Sequence, residues 1–176
     1  MTVIDHLHTR YMNTNVHRVW VDEADNLAVF PLWNLSGQIV GYQQYRPGAS
    51  KEKSNNPRHG RYFTRVKDKR IGVWGLESWN FSNTLFITEG IFDACRLTNL
   101  GVSAIATLSN DVSANVSQWL WVVGRSRRVV AVCDNDRAGR RLAKHATNSH
   151  VVESGDLGDA TDEYVKGLVE KYVNLF

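Results

Sequence analysis

Two short acidic motifs follow apolar, strand-like runs in the second half of the chain. Glu89 comes directly after the run 84–88, and Asp134 and Asp136 come directly after the run 128–133. Carboxylates at the carboxyl ends of parallel strands lie where open α/β sheets form their binding crevice. Carboxylate oxygens are also the ligands that Mg²⁺ prefers. The spacing therefore predicts a metal-assisted phosphoryl-transfer site built from Glu89, Asp134 and Asp136.

Alternating strand-like and helix-like runs must hold these acids in place. After residue 83 the strand-like runs are 84–88, 102–108, 128–133 and 150–153. The helix-like runs are 91–100, 112–123, 137–147 and 161–173. This order is typical of an α/β fold with a mainly parallel sheet flanked by helices.

The first 82 residues have a different character. The pattern predicts a short leading helix through Ile4, Leu7 and Tyr11, a hairpin of strands at 27–33 and 38–45, and extended structure at 61–64. We therefore predict two domains, a small basic α+β subdomain at 1–82 and an α/β domain at 83–176.

A dense basic block lies in the first of these regions. The chain as a whole has a net charge of +3, but between residues 46 and 70 nine basic residues face two acidic ones. The nine are Arg46, Lys51, Lys53, Arg58, Arg61, Arg65, Lys67, Lys69 and Arg70. A block of this density attracts a polyanion, of which nucleic acid is the usual one. A solvated, flexible loop is the alternative interpretation of the same charges.

The cysteine count and the hydropathy exclude several classes. The chain has two cysteines, Cys95 and Cys133, which cannot form a disulfide framework or a four-cysteine zinc site, so no zinc is expected. No run approaches the roughly 18 apolar residues of a membrane span, and the first residues lack the pattern of a signal peptide. We expect a cytoplasmic protein with no membrane partner.

The Asp134 motif has other interpretations when it is taken alone. It resembles the start of a calcium-binding EF-hand loop, but the twelfth position holds His145 where that loop needs Glu. A phosphatase with an aspartyl nucleophile would carry such a motif on the first strand of its domain. A turn that caps a helix starting near Arg137 remains possible on this motif alone.

The two acidic motifs together resemble the TOPRIM domain of DnaG-type primases, topoisomerases and certain nucleases. Thr88-Glu89-Gly90 is followed by α/β sequence and then by Asp134-Asn135-Asp136-Arg137-Ala138-Gly139, with 45 residues from Glu89 to Asp134. A third segment, Gly158-Asp159-Ala160-Thr161-Asp162, is similar to the Lys-Asp-Pro-Asn-Asp segment of primases. Gly158 and Ala160 stand where that segment has Lys and Pro.

The residues before the TOPRIM-like part favour primases within that group. Phe30-Pro31-Leu32-Trp33, followed by Gly37-Gln38-Ile39-Val40-Gly41-Tyr42 and Arg46, resembles the hairpin of the primase N-terminal polymerase subdomain. Arg61-Tyr62-Phe63-Thr64 lies where those proteins have Lys-Tyr-Leu-Asn. Trp74-Gly75 is similar to a turn in the primase part of phage helicase-primases, which implies a phage or mobile-element origin. The resemblance is thus to a DnaG-type primase catalytic core.

This resemblance implies a nucleotidyltransferase that makes short RNA primers on single-stranded DNA from ribonucleoside triphosphates during DNA replication. It implies Mg²⁺, with Mn²⁺ as a substitute, held by Glu89, Asp134, Asp136, Asp159 and Asp162. Glu89 is either a ligand or the acid/base group. Supporting residues are Gly90, Asp93 and Gly139. A replicative helicase and a separate zinc-binding module are the implied protein partners.

The residues expected to bind nucleotide or DNA are Arg46, Arg58, Arg61, Arg65, Lys67, Arg137 and Arg140. Trp74 and Trp79 lie beside the basic block and are the best placed tryptophans for base stacking, although packing is the favoured role for both.

Two other functions stay open. A TOPRIM nuclease would use the same carboxylates with water as the nucleophile, and the primase-like hairpin argues against it. A non-catalytic replication accessory that binds single-stranded nucleic acid would have no physical need for clustered, mutually repelling carboxylates.

Overall fold

Two four-stranded sheets form the framework of the chain. The computed structural model describes residues 1–51, 55–67, 72–80 and 82–173, so that Lys53, Lys69 and Arg70 of the basic block lie outside the described residues. The strands are β1 (Trp20–Asp22), β2 (Leu27–Trp33), β3 (Ile39–Tyr45), β4 (Tyr62–Val66), β5 (Thr84–Thr88), β6 (Ser103–Ala106), β7 (Arg128–Cys133) and β8 (Asn148–Val151). The α-helices are α1 (Val3–Thr9), α2 (Ile91–Thr98), α3 (Ala114–Val123) and α4 (Asp162–Val173).

The first sheet is antiparallel, with the strands in the order β1-β2-β3-β4. The predicted hairpin of β2 and β3 is confirmed, and its turn places Gly37 at a φ of 77°, a conformation that glycine adopts without strain. Strand β1 was not predicted, because three residues are too few to show the alternation typical of a strand.

The second sheet is parallel, with the order β6-β5-β7-β8, and helices flank it. This confirms the expected fold class. Every residue of the central strand β5 is buried, as befits a parallel strand with both faces covered. Strand β8 begins and ends two residues earlier than the expected 150–153.

The α-helix expected at 137–147 is wrong. The chain forms a 3-10 helix there, Gly139–His145. The Gly139 amide donates to the Asp136 carboxylate, and the Arg141 amide donates to the Ala138 carbonyl over 3.0 Å. These bonds join residues three apart, which is the spacing of a 3-10 helix, whereas an α-helix joins residues four apart.

The second sheet has an apolar core on each face. Phe86 faces a core shared with the first sheet, α1, α2 and α4, which also contains Phe30 and Leu168. Leu85 and Ile87 face a smaller core closed by α3 and the 3-10 helix. One core contains residues of both sheets. The domain boundary at residue 82 therefore stays a prediction from the sequence.

No helix within the described residues is long and apolar enough to cross a membrane.

Val73 and Trp74 join the two sheets. Val73 exchanges two backbone hydrogen bonds with Trp33 at the end of β2, of 2.7 and 2.9 Å, and Trp74 exchanges two with Ala106 at the end of β6, both of 3.0 Å. Gly75 then turns the chain at a φ of 92°. A Cβ atom on Gly75 would lie 2.8 Å from the Ala104 carbonyl oxygen.

We expect Gly75→Ala to lower the free energy of unfolding by about 1–3 kcal/mol, because alanine is strained at this φ and has no room beside β6. Urea denaturation measures the effect. Gly167→Ala is the matched control: nothing would contact its Cβ and it lies inside α4, so it should gain about 0.5–1 kcal/mol. Equal effects of the two changes would contradict the structural role of Gly75.

Candidate active site

The topological switch point of the parallel sheet, where successive strands are added first to one side and then to the other, lies between β5 and β7. The chain leaves β5 to form β6 on one side and later returns to form β7 on the other. Loops at such a switch point diverge and leave a crevice at the carboxyl ends of the strands. Glu89 follows β5 and Asp134 follows β7, so the two acids lie at this crevice.

A cavity of about 830 Å³ opens at the crevice, between the parallel sheet and the first sheet. Its volume lies in the range of small-molecule sites. The acidic side chains that line it are Glu89, Asp93, Asp134 and Asp156, and the basic and aromatic ones include Arg10, Lys51, Arg61 and Tyr62. One wall is therefore anionic, and positive charge and an aromatic ring share the remaining lining.

The anionic wall raises the pKa values of its own carboxyls. The pKa of Asp134 rises to about 6, because of burial and then the negative charges of Glu89, Asp156 and Asp136. Burial and Asp136 also raise the pKa of Glu89, against a hydrogen bond with the side chain of Asn110. These acids therefore resist carrying their full charge together.

Asp93 is the most deeply buried acid of the cavity. It lies on α2, one turn after Glu89, and its Oδ1 accepts a 2.8 Å hydrogen bond from the amide of Gly158. Burial and the charges of Asp156 and Asp134 raise its pKa to about 7. Near neutral pH the Asp93 carboxyl is therefore present in both its protonated and its ionised form.

Two predicted supporting glycines allow close approach to these acids. A Cβ atom on Gly139 would lie 2.7–2.9 Å from the backbone oxygen, backbone nitrogen and Cβ of Asp134. A Cβ atom on Gly90 would lie 2.7 Å from Asp93 Oδ2. Any larger residue at either position would displace one of the acids.

The other predicted acids lie outside the cavity lining. Asp136 is exposed and acts on Glu89 and Asp134 through its charge, while its carboxylate accepts from the Gly139 amide. Asp159 is exposed and does not line the cavity.

Asp162 is held elsewhere by two partners. Its Oδ1 accepts hydrogen bonds of 2.8 Å from Arg96 and from Tyr11, and these bonds lower its pKa. The structure therefore gives Asp162 a role in fixing α4 to α2. Asp156, which the sequence pattern did not single out, lines the cavity, whereas Asp159 and Asp162 do not.

Within the part of the chain that the structure describes, the acids lie close to one another without forming a complete metal-binding group. Among the described residues, no three His, Cys, Asp or Glu side chains are grouped closely enough to hold a metal ion. The carboxyls nonetheless converge on one cavity and raise one another's pKa values, and a divalent cation would relieve that excess negative charge. Their donor atoms are hard oxygens of the kind that suits Mg²⁺.

Of the seven basic residues predicted to bind nucleotide or DNA, Arg61 lines the cavity, with its Nε donating to the Ala49 carbonyl over 2.6 Å. Arg46 donates to the carbonyls of Asp25 and Arg58. Those outside the cavity lining are Arg46, Arg58, Arg65, Lys67, Arg137 and Arg140, and all except the half-buried Arg46 are exposed.

Sequence reasoning missed Arg10, which α1 delivers to the cavity from far along the chain. Its guanidinium lies 4.8 Å from the centre of the Phe92 ring and lowers the pKa of Asp93. No local motif marks it, because its role arises from packing of α1.

The tryptophans proposed as stacking candidates do not reach the cavity. Trp74 is fully buried, with its ring 4.3 Å from that of His17. Trp79 packs against Trp119 and under Arg127. The favoured packing role of both residues is thus confirmed.

Residues 86–156 match the family described as Toprim-like. A DNA primase of Thermotoga maritima is 30% identical over 123 residues, which are 69% of this chain and 21% of that protein. The DnaG primase catalytic domain bound to single-stranded DNA has a TM-score of 0.60 at 20% identity, covering 85% of this chain and 52% of that one.

The primase fragment of the bacteriophage T7 primase-helicase has a TM-score of 0.58 at 14% identity, covering 84% of this chain and 62% of that fragment. The resemblance to DnaG-type catalytic cores is therefore confirmed. The chain spans about a fifth of the curated relative and about half of the DnaG domain.

We expect stability in metal-free buffer to fall as the pH rises from 4 to 7. The folded state keeps a proton on Asp93 in this window, whereas an unfolded Asp with a pKa of about 3.9 releases it. Asp93→Asn should make this fall smaller by about 2–4 kcal/mol. Urea denaturation with EDTA at several pH values measures it.

Asp159→Asn is the matched control and should keep the wild-type pH dependence, because Asp159 is exposed. A wild-type slope in Asp93→Asn would show that the pKa of Asp93 is not raised.

Proposed function

We propose that this chain, in which residues 86–156 form a Toprim-like domain within the fold of DnaG-type catalytic cores, is the catalytic core of a DNA primase. One observation carries the proposal. A single cavity at the switch point of the sheet combines an anionic wall with Arg10, Lys51 and Arg61. Such a cavity fits a nucleoside triphosphate, which needs positive charge for its phosphates and carboxylates for the ions that accompany them.

The reaction proposed is nucleotidyl transfer. The 3′-hydroxyl of one ribonucleotide attacks the α-phosphate of another, a phosphodiester bond forms, and pyrophosphate leaves. Arg10, Lys51 and Arg61 neutralise phosphate charge from one side. Glu89 or Asp93 receives the proton of the attacking hydroxyl, since the raised pKa of each suits a general base.

The cofactor proposed is Mg²⁺, with Mn²⁺ as a substitute. Asp134 and Asp156 would hold it together with the phosphates of the substrate, and Asp136 would add negative charge from outside the cavity lining. When bound, Mg²⁺ supplies the charge that stabilises the attacking and leaving oxygens.

The proposed template is single-stranded DNA, as in the DnaG domain whose structure contains it. The exposed side chains of Arg58, Arg65 and Lys67 lie on or near β4 and offer a basic surface to such a strand. The fold shared with a fragment of a primase-helicase supports a helicase as partner and a phage or mobile-element origin. A separate zinc-binding module remains a further proposed partner.

A metal-dependent nuclease is the alternative enzyme. Incubation of the protein with labelled DNA or RNA and Mg²⁺, without nucleotides, separates the two activities. Primase activity leaves the strand intact, whereas a nuclease shortens it.

We expect Asp134→Asn to reduce primer synthesis at least about 100-fold with little loss of single-stranded DNA binding, because it removes a carboxylate from the centre of the site. The assay uses single-stranded templates, labelled ribonucleotides and Mg²⁺, and a separate filter-binding measurement follows the DNA. Undiminished synthesis by this variant would overturn the proposed role of Asp134.

Asp156, which lines the cavity, and Asp159 of the third segment, which does not, should behave differently. Asp156→Asn should lower synthesis about 10- to 100-fold, since Asp156 lines the cavity, whereas Asp159→Asn should have little effect. If Asp159→Asn instead caused the larger loss, the assignment based on sequence resemblance would replace the one based on geometry.

Mg²⁺ should also stabilise the folded protein in the absence of any substrate. At saturating Mg²⁺ and pH 8, where the acids are ionised, we expect the Tm to rise by about 5 °C. Differential scanning calorimetry with and without Mg²⁺ measures the shift. Asp134→Asn should lose most of it, and an equal shift in that variant would place the ion elsewhere.

A further inference from the structure

Tyr62 is a large aromatic residue that lines the active-site cavity and remains accessible. Its exposed fraction is 46%. Among the described residues, Trp20 and Trp121 are more exposed, but neither lines this cavity. Phe92 does line it, yet only 5% of that residue is accessible. The ring of Tyr62 is therefore the aromatic surface that the cavity offers to a ligand.

The ring of Tyr62 is mounted on a stack of buried rings. Tyr62 of β4 pairs in register with Tyr45 of β3, and their ring centres lie 5.2 Å apart with planes 30° from parallel. Tyr45 is 5% exposed, and its hydroxyl lies 2.8 Å from His6 Nε2. The ring of Phe92 packs edge-on against the ring of Tyr45, with the ring centres 4.9 Å apart. Tyr45 thus supports Tyr62 from the protein side.

The same stack fixes Tyr62 relative to the acids. Phe92 lies three residues after Glu89, in the first turn of α2, and Asp93 is the next residue. A ligand that rests on Tyr62 is consequently held at a set distance from Glu89 and Asp93. Arg61, the neighbour of Tyr62 in sequence, also lines the cavity and supplies positive charge beside the ring.

These features match the parts of one nucleotide. A flat base needs an aromatic face, its phosphates need cations, and the reacting phosphorus must lie near the carboxylates. We propose that Tyr62 is a positioning residue, on whose ring the base of the incoming nucleoside triphosphate stacks while Arg61 and Arg10 contact its phosphates. This inference rests on the proposed function and adds the site of the base.

Stacking uses the ring and not the phenol. A tyrosine hydroxyl with its ordinary pKa of about 10 is already neutral at working pH, and partial burial of this residue raises the pKa of Tyr62 further, to about 12, so it adds no charge to the base. Stacking is also tolerant of base identity, because every base has a π face. Purines, which have the larger face, should bind more tightly than pyrimidines.

The test separates the base from the phosphates. Equilibrium binding of ATP and of inorganic tripolyphosphate, each with MgCl₂ and without template, is measured by calorimetry for the whole chain. Tyr62→Ala should weaken ATP binding about 5- to 100-fold and leave tripolyphosphate binding unchanged. Tyr62→Phe should bind both like the wild type. Trp121→Ala removes an exposed aromatic outside the cavity and should change neither.

Circular dichroism and thermal melting check the fold of each variant. Tyr62→Leu covers Tyr45 without providing an aromatic ring, and it gives the test if Tyr62→Ala is unfolded. Equal loss of ATP and tripolyphosphate binding would assign Tyr62 to phosphate contact or to general structure. Unchanged ATP binding with weakened binding of single-stranded DNA would assign the ring to the template. Each of these results overturns the inference.

The measurements of ATP binding and of primer synthesis test the inference and the proposed function independently. If ATP binds in a manner that depends on Tyr62 but no primer is made, the inference stands and the proposed function falls. If primers are made while Tyr62→Ala binds ATP normally, the proposed function stands and the inference falls.

Discussion

The double backbone bridge made by Val73 and Trp74 is the constraint on which the site depends. Val73 pairs with Trp33 of the first sheet and Trp74 pairs with Ala106 of the second. Backbone hydrogen bonds allow little change of spacing, so the distance between the two sheets is set at this seam. The cavity lies between those sheets, and its anionic wall and its cations therefore keep a fixed separation.

The buried surroundings of the seam reinforce it. His17 packs on Trp74, with ring centres 4.3 Å apart, and its Nδ1 lies 3.3 Å from Glu77 Oε1. His17 Nε2 lies 3.0 Å from the Thr98 hydroxyl at the end of α2. The segment after α1 is thereby tied both to the seam and to the helix that carries Asp93.

The sequence predicts the location of those acids that directly follow a strand, because the strand order alone determines where they lie. Glu89 and Asp134 end strongly apolar runs, and neighbouring parallel strands bring such ends together. Arg10 and Asp156 reach the cavity through packing between distant segments, which no local pattern reports. A helix-like run after Asp136 does not distinguish a 3-10 helix from an α-helix, and the close approach of Gly139 to Asp134 appears only in the structure.

Gly158 shows how the chain accommodates a departure from the primase pattern. A Cβ atom at this position would lie 2.9 Å from Arg10 Nη2 and 3.1 Å from Asp156 Oδ1, so a lysine could not enter without displacing them. The small residue leaves room for the guanidinium, and its amide donates to Asp93. The acids at this end of the cavity consequently face a positive charge that comes from residue 10 and not from residue 158. Since Arg10 lies at the end of α1, loss of the packing of that helix would remove the charge that opposes the high pKa of Asp93.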